Sequence, residues 1–219
     1  RLETGLPAPD DYAGADSIMG GSIVGKNGVT FVKQNTGKLT VNGSFVSDTL
    51  RVEGGSLALN GEGNSFNHVE LAGAEEGGVL DINRNTVMGD LTDSGEGAAL
   101  NIGSGASLSV NGASSLSSST IQGSGTLTLR DTLEISGTAS LQGGVLLDLA
   151  KDDDSTGTLD LGSTSGSTVS GIGGEGTLKS AGGVLTVNTG NSGGGSVFSG
   201  TLEGRGQLNI SGNAGQTFE

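Results

Sequence analysis

The sequence predicts an all-β chain wound as a parallel β-helix, a solenoid with about three short strands per coil. Three observations carry this. A short phrase recurs ten times, each copy has the two-residue period of a half-buried strand, and the composition is dominated by residues of tight turns.

The phrase is clearest at Gly55-Ser56-Leu57-Ala58-Leu59-Asn60-Gly61. Two aliphatics stand two apart, so both point to one face while the residue between them points to the other. The closing Asn or Gly lets the chain turn sharply. Copies begin at Gly37, Gly78, Ala98, Ala106, Gly125, Asp131, Gly157, Gly183 and Gly206, from six to twenty-six residues apart. Weaker strands fill the wide gaps: Leu50 to Val52, Val69 to Leu71, Val145 to Leu149 and Val169 to Ile172. Counting these, one coil takes roughly twenty residues, within the range of stacked repeats. A strand with two buried residues cannot stand alone, so the copies must stack on one another.

The chain has 219 residues, with 44 Gly, 2 Pro, no Cys, no Trp and 1 His. Gly without Pro and without a three-residue period excludes collagen. Regular aliphatic pairs exclude a disordered tract. Gly or β-branched residues interrupt every helical window, and no apolar run is long enough to span a membrane. The net charge of −14 disfavours nucleic acid and anionic membrane surfaces as partners. Without Cys there is neither a disulfide framework nor a thiolate metal site. The chain does not begin with Met and shows no signal peptide, which reads as a mature segment or a piece of a longer chain.

Taken in order, residues 1–20 fit the pattern least. Pro7 and Pro9 interrupt ladder pairing, and this stretch is expected to be an N-terminal cap or irregular segment. The β-helix is expected over 21–219. Inward candidates begin at Ile23 and continue through Phe31, Leu39, Val41, Phe45, Leu50, Val52, Leu57, Leu59 and Phe66. Met88 and Leu91 mark a weak coil. The most regular part is Ala98 to Leu149. Lys151 to Gly157 is the most charged insertion, and Ala72 to Gly78 is a loop carrying Glu75 and Glu76. The pattern is still in register at Gly212, which predicts further coils in a longer protein.

Val169 to Gly212 (VSGIGGEGTLKSAGGVLTVNTG, then FSGTLEGRGQLNISG) resembles the repeats of autotransporter passenger domains, in particular the AIDA-type self-associating adhesins. The resemblance covers Gly37 to Gly212. It implies a right-handed β-helix, displayed outside a bacterial cell and anchored by a C-terminal outer-membrane barrel that is not in this chain. It also implies association with the same protein on neighbouring cells, autoaggregation and biofilm formation. Passengers of this family tend to lack Cys, as this chain does.

Enzymatic constellations are not evident. Three consecutive residues, Asp152, Asp153 and Asp154, alternate faces in extended backbone and form no facing pair for glycoside chemistry. Thr92-Asp93-Ser94-Gly95 echoes a nucleophile motif only faintly, and His68 is read as a partly exposed strand residue. Gly173-Gly174-Glu175-Gly176 lacks the Asp of a Ca²⁺-binding nonapeptide. No cofactor or metal is expected. What remains is the outward surface. The middle residue of each phrase faces solvent, and in-register stacking would set these residues in one polar ladder. The candidate self-association contacts are Asn60, Asp81, Asn101, Thr128 and Asp160. The competing expectation is a host matrix protein or glycan, bound by a groove or by the loops of Glu75, Glu76, Asp152, Asp153 and Asp154.

Overall fold

A computed structural model describes residues 16–25, 28–73, 77–163, 166–191 and 196–219. They form a β-solenoid of about ten turns, the right-handed parallel β-helix. One 3₁₀ turn, Thr189–Asn191, is the helical element among the described residues.

Each turn has three sides. Face 1 stacks Ser17–Met19, Lys38–Val41, Ser56–Leu59, Val79–Ile82, Ala99–Ile102, Thr120–Gly123 and Ser140–Gly143 as a seven-stranded parallel sheet. A three-stranded sheet of Ser167–Val169, Val184–Asn188 and Gln207–Ser211 continues it. Across the break the Ser167 hydroxyl accepts from the Leu141 amide at 3.0 Å. Faces 2 and 3 belong to one sixteen-stranded sheet. Face 2 runs from Ile23–Val24 through Ser107–Val110, Thr126–Leu129 and Leu146–Leu149 to Gln216–Phe218. Face 3 runs from Thr30–Lys33 through Ser114–Leu116, Thr132–Ile135, Thr158–Leu161 and Thr177–Ser180 to Thr201–Gly204.

Three turns join two of their three sides in one strand. Phe45–Val52, Asn64–Leu71 and Thr86–Asp93 each pass from face 2 to face 3 as one eight-residue strand. In later turns the same corner is Asn111-Gly112, Arg130-Asp131 or the Lys151 to Gly157 insertion, whose turn residues break the ladder. Ser17–Met19 already pairs with Leu39–Val41, so the stack starts before Ser22, where the sequence pattern first becomes visible. The Pro7 and Pro9 segment lies outside the described residues.

Inward aliphatics stack in rows, like on like. Leu57, Leu80, Leu100, Ile121 and Leu141 form one, and Leu108, Leu127, Leu147 and Ile172 another. All nine are 0 % exposed. The first turns are filled by aromatics instead, with Phe45 edge-on to Phe31 at 4.8 Å and to Phe66 at 5.2 Å between ring centroids. Corners are close backbone contacts. A Cβ on Gly61 would lie 1.9 Å from the Gly43 carbonyl oxygen, so only Gly fits there.

Leu127→Ala is expected to cost about 2–5 kcal/mol in denaturant unfolding. Thr126→Ala, the outward neighbour on the same strand, is expected to cost well under about 1 kcal/mol. Similar losses for the two would contradict the inward-row assignment.

Candidate functional surface

The outward residues fall on three faces rather than one, which corrects the single-ladder expectation. The phrase is used on every side of the triangle, so consecutive copies land on different faces. Thr40, Ala58, Asp81 and Asn101 share face 1. Ser109 and Thr128 share face 2, and Glu134 and Asp160 share face 3. Ala58 is 1 % exposed despite pointing outward. The Lys38 ammonium reaches Asp81 at 3.5 Å, two turns away, and so spans the strand that carries Ala58.

Face 1 is a ladder of side chains bonded along the rod axis. The Asn101 amide donates to Asp81 Oδ1 at 2.7 Å, and the Gln122 amide donates to Asn101 Oδ1 at 2.8 Å. A second ladder runs along the following corner. Asn83 donates to Asn60 Oδ1 at 2.8 Å, and Asn60 donates to Asn42 Oδ1 at 3.1 Å. Asn60, Asp81 and Asn101 are therefore engaged with their neighbours in the stack.

Face 3 carries most of the charged side chains of the strands. Arg51 lies 3.4 Å from Glu70, and Lys179 lies 3.1 Å from Asp160. Glu134 stands beside Asp160 and Glu203 beside Lys179 in the same outward row. His68 Nδ1 and Asp90 Oδ2 are 2.7 Å apart on neighbouring turns, and His68 is exposed, as the sequence suggests. His68 is in register with Asp90, not with Asp93. The Ser94 hydroxyl is bonded to Glu70. His68, Asp93 and Ser94 thus do not converge.

Face 2 is different. Val24, Val46, Ser65, Val87, Ser109 and Thr128 are consecutive rungs of one outward row. None is charged. The next rung, Asp148, faces the Thr128 hydroxyl at 3.4 Å. Val24 and Val87 are 72 % and 42 % exposed. Sequence reading passed over this row because a strand phrase is recognised by its inward pair. The available signal was an apolar residue in the outward slot, as in Ile23-Val24 and Phe45-Val46.

Two charged side chains occupy inward slots and seal corners. Lys33 is 7 % exposed. Its ammonium donates to the carbonyls of Gln34, Asn35 and Gly54 at 2.7, 2.8 and 3.0 Å. Burial holds its pKa below the ordinary lysine range. Asp93 is the mirror case. It accepts from the backbone amides of Ser117, Ser118 and Ser119 at 2.8–3.0 Å. Burial pushes its carboxyl up, but these bonds and the Ser117 hydroxyl outweigh burial and hold it below the ordinary value.

Of the loop candidates, Asp152 is bonded to Arg130, which ties the insertion to the preceding turn. Asp153 and Asp154 are exposed. Glu75 and Glu76 lie outside the described residues. A cavity of about 180 Å³ opens at the last turns, lined by Leu161, Leu178, Leu185, Leu202 and Leu208. Leu202 and Ile210 occupy inward rows there yet are 52 % and 53 % exposed. Among the described residues no cluster of three or more His, Cys, Asp or Glu could hold a metal ion, and no helix is long and apolar enough to cross a membrane. Comparison with family models, curated proteins and solved structures found no match.

Asp93 supplies a pH-dependent contribution with a definite sign. Its folded pKa is depressed, so the stabilisation is present above the unfolded value of about 3.9 and is lost as pH falls through the folded value. Asp93→Asn is expected to cost about 1–3 kcal/mol at neutral pH. The gap to wild type should close on acidification below about pH 4. A gap independent of pH would show that the carboxylate charge is not what the three amides hold.

Proposed function

We propose that this chain is an adhesive rod, displayed outside a bacterial cell, that associates with copies of itself on neighbouring cells and performs no catalysis. The resemblance of Val169 to Gly212 to autotransporter passengers supports the class and the extracellular placement. The observation that carries the reading is the surface. Although its net charge is −14 and the outward rows of faces 1 and 3 both carry carboxylates, the rod keeps the six consecutive outward rungs of face 2 that precede Asp148 short and uncharged. Strands held in a stacked solenoid present such groups with little further ordering cost. Recognition along a rod also tolerates many registers, which suits contact between cells more than the binding of one small ligand.

Of the residues named from the sequence, Thr128 lies on the uncharged flank. Asp81, Asn101 and Asn60 hold the rod together lengthwise, and Asp160 is paired with Lys179.

Sedimentation velocity of the chain over a wide concentration range tests the proposal. An elongated species that grows with concentration is expected. A strictly monomeric rod at every concentration would overturn homotypic association and move the weight to a host matrix protein or glycan.

A further inference from the structure

Resting on that reading, we infer that two copies meet side by side through face 2, along the row Val24, Val46, Ser65, Val87, Ser109 and Thr128.

Charge limits which faces two copies can bring together. Two molecules of −14 repel, and close contact is least opposed where neither presents a carboxylate. Face 3 fails this condition, because its outward row holds four carboxylates, Glu70, Glu134, Asp160 and Glu203, against two cations, Arg51 and Lys179, both already paired within the row. Face 1 is nearly neutral, but its groups are already used. Asp81, Asn101 and Gln122 are bonded to one another, and docking there would compete with those bonds or desolvate them.

Face 2 meets the condition over six consecutive rungs. At about 4.8 Å per rung this is a strip about 24 Å long. Its side chains are short and mostly β-branched, so fixing them costs little rotamer entropy. Its valines offer apolar area to remove from water. The rim is polar. Arg84 and Glu62 lie 3.5 Å apart on one side, and the Asn67 amide donates to Asp48 at 2.6 Å on the other. An apolar strip inside a polar rim is the usual arrangement of a protein–protein contact. A two-fold axis across the row makes the contact isologous, with the rods antiparallel, so it closes at two copies. Antiparallel rods are also what two facing cells would present.

The contact predicts an unusual response to salt. No ion pair crosses it, so salt has nothing favourable to screen. The repulsion between the two acidic rods is screened, and association should strengthen as salt rises.

Sedimentation velocity on the purified chain tests this with two charge-matched variants. Val87→Lys, in the centre of the strip, is expected to weaken self-association at least tenfold. Asn101→Lys, on face 1, adds the same charge and is expected to leave association at or above the wild-type level. Ser109→Lys provides a second substitution in the strip. Circular dichroism checks that each variant keeps the fold. Raising salt from about 0.05 to about 0.5 M should strengthen wild-type association. Wild-type-like association of both strip variants would overturn the face 2 assignment while leaving homotypic association standing. So would an Asn101→Lys effect as large as that of Val87→Lys, or association that weakens with salt. A wild type that never associates would overturn the reading on which the inference rests.

Discussion

Everything in this rod depends on the in-register contact of one turn with the next. A strand of four residues buries two aliphatics, too few to hold a fold together, until the same pair lies above and below it. Leu100 is buried because Leu80 and Ile121 flank it in its row. The register also sets the outside. Because side chains alternate, fixing Leu100 inward fixes Asn101 outward, in line with Asp81 and Gln122. Core rows and surface ladders are one constraint seen from two sides.

That constraint leaves corners as the weak points, since backbone groups there leave the ladder. The rod seals two of them with charges of opposite sign in inward slots, Lys33 buried and Asp93 half-buried. Where three carbonyls converge, the ammonium of Lys33 donates to them. Where three amides converge, the carboxylate of Asp93 accepts from them. Neither needs a counter-ion close by, because backbone dipoles supply the opposite partial charge. Gln216 does related work near the last turn. Its amide bonds both the N–H and the C=O of Ile172, two turns back. In contrast, Asp152 is held at the surface by Arg130, Asp153 and Asp154 are exposed, and the three have no such part in the interior.

Much of this was legible in the sequence, for a physical reason. An alternating aliphatic pair such as Leu127 and Leu129 reports which side of a strand is buried, and the turn residues report where a strand ends. The pair does not report which side of the triangle the strand occupies. Asp81, Thr128 and Asp160 look equivalent in the sequence, yet they stand on faces 1, 2 and 3. The unbroken strands Phe45–Val52 and Asn64–Leu71 were hard to see because a bend without Gly leaves little trace. Lys33 and Asp93 were legible in principle, as charged residues in slots where Phe31 and Leu91 predict another apolar side chain. The burial of Ala58 was not, because the alternation places it in an outward slot, on the strand that the Lys38–Asp81 pair spans.

The three faces of the rod differ in charge, and the proposed contact sets a second copy against face 2. The chain has no Cys, so a single introduced Cys carries a unique spin label. The most direct measurement is intermolecular dipolar broadening at associating concentration, with the label at Asn111 beside face 2, at Gln142 on face 1 or at Glu134 on face 3. All three positions are exposed. The account predicts broadening from Asn111 and unbroadened spectra from Gln142 and Glu134. Broadening from Gln142 or Glu134 with an unbroadened Asn111 would contradict it.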